Sequence, residues 1–235
     1  MVQSAAMAVA ESWIGLDESG KGDYFGPLVV AGVHVASALA ERLRGLGVRD
    51  SKRISDSRIL SLELAIRPLV YHAIVAIGPK RYNELYEKIR NLNRLLAWAH
   101  ARALENLLSQ VECPRAIADQ FGDEQWIQNA LMEKGKKIIL EQRPHAEEDM
   151  AVAAASILAR AEFLRRLSQL SEEYRLSIPK GASEAAQEIA RRLVQKHSSR
   201  KEQMEVLKKV AKWHFRTTQV VLGLKSSDPS LRGTD

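Results

Sequence analysis

Hydrophobic positions along this chain of 235 residues fall first into short β-branched runs and later into helical spacings. Trp13 to Leu16 begins a strand, which Asp17-Glu18-Ser19-Gly20-Lys21-Gly22-Asp23 interrupts with two glycines. Leu28 to Val35 (LVVAGVHV) reads as a second, largely buried strand. Leu39 to Leu46 predicts a short helix, and Ser55 or Asp56 caps another that stops before Pro68. Tyr71 to Ile77 is a third strand. From Tyr82 to Leu108, Leu92, Leu95, Leu96, Ala99, Ala103 and Leu107 keep i, i+3, i+4 spacing, which fits one helix or two broken near Asn91. Arg115 to Ala118 and Lys137 to Leu140 predict two further strands, and Ala151 to Leu167 a helix of small residues. Helices are expected again over Ser183 to Lys196 and Glu202 to Trp213, with a flexible leader over residues 1–12 and a flexible tail from Ser226. Strands first, helices between and helices last predict an α/β fold: a mixed sheet with helices on its faces.

Composition narrows the class without naming a function. With 46% hydrophobic and 27% charged residues the chain suits a soluble globular protein, and its length suits one large domain over residues 13–225. A lone cysteine, Cys113, excludes a disulfide scaffold and reads as an inert small hydrophobe. The longest apolar runs, Pro27 to Ala36 and Ala151 to Ala159, are too short to span a membrane. With no signal-peptide pattern at the start, a cytoplasmic protein without a membrane partner is expected, as a monomer. Net charge is +6, from 35 Lys and Arg against 29 Asp and Glu. Lys180 to Lys225 alone holds eleven Lys or Arg against four Glu, an excess slightly above that of the whole chain. Such a region suits a polyanion, although lysine-rich surface helices also serve solubility alone.

Acidic residues stand where strands end. Asp17-Glu18 follows WIGL, Asp119 follows RAIA, and Glu147-Glu148-Asp149 precedes the alanine helix. Carboxylates converging there would raise one another's pKa unless cations sat among them. An oxygen-only ligand set suits Mg²⁺ or Mn²⁺, and two such ions support in-line phosphodiester displacement. The plainer reading is that turns and helix caps favour acidic residues. Successive strand residues face opposite ways, so Asp17 and Glu18 share one site only if the chain leaves strand geometry, as Gly20 and Gly22 permit.

The Gly20-Lys21-Gly22 turn would let backbone N–H groups approach a phosphate or sugar, with Lys21 adding charge. It is neither a Walker loop nor a dinucleotide fingerprint. Ser51-Lys52 and Pro179-Lys180-Gly181 are weaker candidates of the same kind. His100 and His145 suit surface or hydrogen-bonded positions better than a proton shuttle, and His214 suits packing. Trp13, Trp98 and Trp213 read as core.

Together these pieces resemble the type 2 ribonucleases H, ribonuclease HIII above all. The pieces are DESGKGDYFGPLVVAGV from Asp17, DSKRISDSRI from Asp50, YNELYEKIRNLNRLLAWAH from Tyr82, ADQF from Ala118, AVAAASILAR from Ala151, PKGAS from Pro179 and VAKWHFRTT from Val210. They run in family order from Trp13 to Thr218. The resemblance implies a ribonuclease H-like fold, a mixed five-stranded sheet flanked by helices with a helical C-terminal part from about residue 168. It implies Mg²⁺- or Mn²⁺-assisted hydrolysis of the RNA strand of an RNA–DNA hybrid, leaving 3′-hydroxyl and 5′-phosphate ends. Asp17, Glu18 and Asp119 match the metal-binding carboxylates. The fourth catalytic carboxylate points to Glu147 in His145-Ala146-Glu147, with Glu148 and Asp149 as alternatives. Gly20-Lys21-Gly22 matches the loop that reads ribose 2′-hydroxyls; Ser51, Lys52 and Lys180 are expected as further substrate contacts.

Two departures matter. The group usually carries an N-terminal substrate-binding domain of about eighty residues, for which the residues before the first strand are too few. The C-terminal basic helices are then expected to contact phosphates in its place. The HII type, which incises at single ribonucleotides in DNA, uses a tyrosine before its lysine motif, where this chain has Ile178-Pro179-Lys180-Gly181. That favours the HIII type; the alternatives are an HII-like activity and a non-catalytic hybrid-binding module.

Overall fold

The computed structural model describes residues 11–224. The expected tail from Ser226 lies outside them, as does the expected leader apart from Glu11 and Ser12, and Ser12 already belongs to the first strand. Five strands form one sheet: β1 (Ser12–Ser19), β2 (Leu28–Ala36), β3 (Tyr71–Ile77), β4 (Arg115–Asp119) and β5 (Ile139–Arg143). Their order is β3-β2-β1-β4-β5. The first three run antiparallel, while β4 and β5 are parallel to β1. The mixed sheet is as expected.

Alternation along β2 divides the core. Leu28 and Val30 join Ile14 and Leu16 of β1 under α4 (Leu92–Leu108), against Leu95, Ala99 and Ala103. Val29, Ala31 and Val33 face the other way, toward Ala151, Ala154, Ala155 and Leu158 of α6 (Met150–Tyr174). Period-two patterning thus lets one strand feed two layers. The alanines have a steric reason. A Cβ on Gly15 of β1 would lie 2.1 Å from the carbonyl carbon of Ala151, so α6 crosses the central strand almost in backbone contact.

The remaining helices are α1 (Ser37–Gly45), α2 (Asp56–Ile66), α3 (Pro79–Ile89), α5 (Glu124–Ala130), α7 (Glu184–Gln195), α8 (Arg200–Val210) and α9 (Arg216–Leu222). Ser55 caps α2 through Arg58 N–H. The long region from Tyr82 is two helices, because Arg90 turns left-handed at φ 51° and the Asn91 side chain caps α4.

Three expectations need correction, and two short helices go unpredicted. The fifth strand starts at Ile139 rather than Lys137, since Gly135–Lys137 forms a 3-10 turn. Helix α6 runs on to Tyr174, so the C-terminal helical part begins later than residue 168. Helix α8 stops at Val210, because the next residues pair with the segment after the glycine turn: Phe25 bridges Ala211, and Lys212 N–H donates to the Tyr24 carbonyl. The short helices α5 and α9 carry too few turns to show a pattern. Helices α7 to α9 are integral to the fold, as Ala186, Ala190, Leu193, Leu207, Val210 and Leu222 are buried in the α6-side core. Among the described residues no helix is long and apolar enough to cross a membrane.

Candidate active site

The two adjacent carboxylates do not leave the strand. Asp17 pairs with Ala31 and Glu18 with Val30 inside the β1–β2 ladder, which continues to Ser19. They therefore point to opposite faces. Asp17 lies on the α6 side with its ladder partner Ala31 and accepts from the Glu18 N–H, whereas Glu18 Oε2 lies 3.1 Å from His100 Nε2 of α4. The expectation that glycines bend the chain so that both point one way is replaced by two carboxylates astride the sheet.

Strand register supplies the partner of Asp17. Leu16 of β1 is level with Ala118 of the parallel β4, so Asp17 and Asp119 follow side by side at the carboxyl ends of both strands. This is where open α/β sheets place ligands. Asp119 Oδ1 also accepts from Ala146 N–H, at 3.3 Å, which draws the turn Ala146–Glu148 toward it. An open cleft of about 480 Å³ results, lined by Asp119, Glu147, His145, Lys52, Gln120 and Gly122 among others. Glu148 is exposed. Asp149 caps α6, its Oδ1 accepting from the N–H groups of Ala151 and Val152 and from Trp13 Nε1. Glu147 alone of the three lines the cleft with Asp119.

The charges are unbalanced. Burial raises the Asp17 pKa to about 7, and the charges of Glu18 and Asp119 push the same way, against the bonds from Ser156 and the Glu18 N–H. Burial would raise Glu18 too, but the bond and charge of His100, with Lys21 and Lys52 nearby, hold it below the usual carboxylate range. Such a centre attracts a cation. The carboxylates around this edge of the sheet, Asp17, Glu18, Asp119 and Glu147, offer only oxygen, the ligand type of Mg²⁺ and Mn²⁺. Among the described residues no three His, Cys, Asp or Glu side chains close into a ready cage. Mg²⁺ typically takes one or two carboxylates and keeps several waters, with substrate phosphate completing its shell. The residues fit a hard divalent ion.

Three loops border this centre. Gly20 has φ +87° and a Cβ there would lie 2.2 Å from the Pro27 carbonyl oxygen, so glycine is required; at Gly22 a Cβ would meet nothing within 4 Å. Lys21 Nζ is 3.8 Å from Glu18. Ser51 is buried, its Oγ 2.6 Å from Ser156 Oγ, and its carbonyl accepts from Arg160. Arg160 and Lys180 both donate to the Asp56 carboxylate, which cross-links the Ser51-Lys52 and Pro179-Lys180-Gly181 segments. Gly181 N–H donates to Asp23 Oδ1, joining the third loop to the first.

The sequence alone did not mark Ser156, Arg160 or Asp56, whose roles depend on neighbours about a hundred positions away. His100 is hydrogen-bonded, as expected, but to Glu18. His214 packs against Tyr86 and Tyr82, also as expected.

Residues 14–218 match the Ribonuclease HII family. The chain belongs to that family. A ribonuclease HIII of Protochlamydia amoebophila is 46% identical over 210 residues, covering 89% of this chain and 68% of that protein. The ribonuclease HIII of Chlamydia pneumoniae is 42% identical, covering 87% of this chain and 68% of that one. The crystal structure of Bst-RNase HIII in complex with Mn²⁺ superposes with a TM-score of 0.82 at 34% identity, over 92% of this chain and 70% of that one. This ribonuclease HII family member therefore shares its fold with an enzyme seen to bind Mn²⁺.

Proposed function

We propose that this chain is a ribonuclease H of the HIII type, an endonuclease that hydrolyses the RNA strand of RNA–DNA hybrids with Mg²⁺ or Mn²⁺. The observation that carries the reading is the register of the parallel strands β1 and β4, which puts Asp17 and Asp119 one residue beyond the Leu16–Ala118 pair, with Glu147 lining a cleft with Asp119. A divalent ion, when bound, supplies charge to stabilise the developing phosphate oxygens and to acidify water. Asp17 and Asp119 would hold it, with Glu18 completing the set and Glu147 on the side of the attacking water. His100 keeps Glu18 ionised and oriented. Ser156 bonds Ser51 and so keeps Lys52 at the cleft, where its charge faces a phosphate.

Gly20-Lys21-Gly22 is read as the segment that meets ribose 2′-hydroxyls. The open space at Gly22 supports a close approach by the backbone. The segment Ile178-Pro179-Lys180-Gly181 lacks the junction tyrosine of the HII type, and Ile178 is buried. A cytoplasmic location fits the free, buried Cys113.

The test is cleavage of a DNA duplex carrying either four ribonucleotides or one. The HIII reading expects cleavage only of the four-ribonucleotide substrate, lost in Asp119→Asn with the fold retained. Cleavage at the single ribonucleotide with comparable efficiency would favour the HII type. An unaffected D119N enzyme would remove Asp119 from the mechanism.

A further inference from the structure

Lys212 is fully buried, yet its ammonium meets carbonyls rather than an acid. Nζ donates to the Asp23 carbonyl at 2.7 Å and to the Gly26 carbonyl at 2.9 Å, and it lies 5.7 Å from the centre of the Tyr82 ring. We infer that Lys212 is a positioning residue: by gripping the carbonyls of Asp23 and Gly26 it holds the Gly20-Lys21-Gly22 turn in the geometry that reads ribose. The inference rests on the reading of that turn proposed above.

Taking an ammonium out of water is costly, and an apolar side chain of similar length would fill the same space without that cost. Stability alone is therefore a poor reason for a lysine here. What the lysine adds is two directed bonds, and both end on the segment that leaves the glycine turn. Asp23 is the hinge of that segment. Its N–H donates to the Gly20 carbonyl and closes the turn, its Oδ1 accepts from Gly181 N–H, and its carbonyl accepts from Lys212. Gly26 is held likewise from both sides, its N–H on the Val210 carbonyl and its carbonyl on Lys212. Gly26 needs this support, since at φ +78° it has a backbone few other residues adopt and no side chain to anchor it.

Lys212 itself stands on a fixed base. Asn83 of α3 donates to the carbonyls of Lys208 and Ala211 and accepts from Trp213 N–H, clasping the chain on both sides of the lysine. The charged or titratable groups around the ammonium are Asp23, Tyr82 and His214. Helix α3, the C-terminal segment and the glycine turn thus form one unit that ends at the ribose-facing backbone. The space where a Gly22 side chain would stand is open, and a site of this kind needs a supporting shell to fix its geometry.

The experiment compares Lys212→Met with the unaltered protein in two measurements. The first is the ratio of affinities for an RNA–DNA hybrid and a DNA duplex of the same sequence, in EDTA. The second is the split between KM and kcat on the hybrid. The expected result is a fall of about tenfold in the hybrid preference with a matching rise in KM, and kcat within about threefold. A folded K212M protein that keeps its preference overturns the inference, whatever its melting temperature. Should K212M give no cooperative melt, Asn83→Ala takes its place, since it releases the clasp and leaves the lysine; an unchanged preference there also overturns it. A third arm, Gly22→Ala, separates the two readings. If G22A keeps the preference, the ribose-reading turn is wrong and this inference falls with it. If G22A loses the preference and K212M does not, only the role of Lys212 is wrong.

Discussion

Asp17 and Glu18 are consecutive on the central strand and face opposite layers of the sheet, Asp17 toward α6 beside Ala31 and Glu18 toward α4, where its Oε2 lies 3.1 Å from His100 Nε2. A shift of α4 therefore moves Glu18 relative to Asp17.

His100→Ala removes the partner that holds Glu18 below the usual carboxylate range. A buried acceptor left without its bond costs about 1–3 kcal/mol of stability. The Glu18 pKa then rises, so the acid limb of kcat/KM against pH moves to higher pH. A pH–rate series on H100A checks this; an unmoved limb would mean that Glu18 does not set it.

Asp17 makes stability depend on pH. Its folded pKa, about 7, lies above the ordinary 3.8, so the folded state binds the extra proton between those values. Its contribution is complete below pH 3.8 and is lost as pH rises through about 7. In EDTA the melting temperature is expected to decline across that window relative to Asp17→Asn, which lacks the titration. Adding Mg²⁺ or Mn²⁺ at pH 8 restores stability to the native protein and not to D17N. Melting curves with and without the ion decide it.

The two glycines of the turn differ in what they tolerate. Gly20→Ala places a Cβ 2.2 Å from the Pro27 carbonyl oxygen at a left-handed φ, which predicts a loss of at least about 2 kcal/mol. Gly22→Ala meets no neighbour and should melt within about 0.5 kcal/mol of the native protein. Denaturant titration of both variants tests the contrast.

Lys201 and Lys209 are exposed on α8 and serve as probes of phosphate contact. Truncation after Gly181 cannot serve, because it removes core residues together with Lys212. Reversing both lysines to Glu should weaken hybrid binding and lower the slope of log K against log salt by about one to two. An unchanged slope assigns these lysines to solubility alone.

The strands β1 to β4, both long helices and the acidic strand ends were legible because each depends on neighbours in the chain. β-branched runs, helical spacing and glycine breaks are local signals. The short helices α5 and α9 carried too few turns to register. The end of α8 was misplaced because its residues pair with Tyr24 and Phe25, nearly two hundred positions earlier.

The acidic centre divides in the same way. Asp17, Glu18, Asp119 and Glu147 could be named from order and residue type, and Mg²⁺ or Mn²⁺ from their oxygen chemistry. Tertiary packing alone puts Glu147, and not Glu148 or Asp149, in the cleft with Asp119, while one oxygen of Asp149 is taken up by the α6 N-terminus and Trp13. It also turns His100 toward Glu18, ties Lys180 to Asp56 and buries Lys212 against the glycine turn. Local sequence sets which backbone shapes are cheap and which side chains are present. The direction of a side chain and the identity of its distant partner are settled only when the layers close, because a hydrogen bond is won or lost within an ångström.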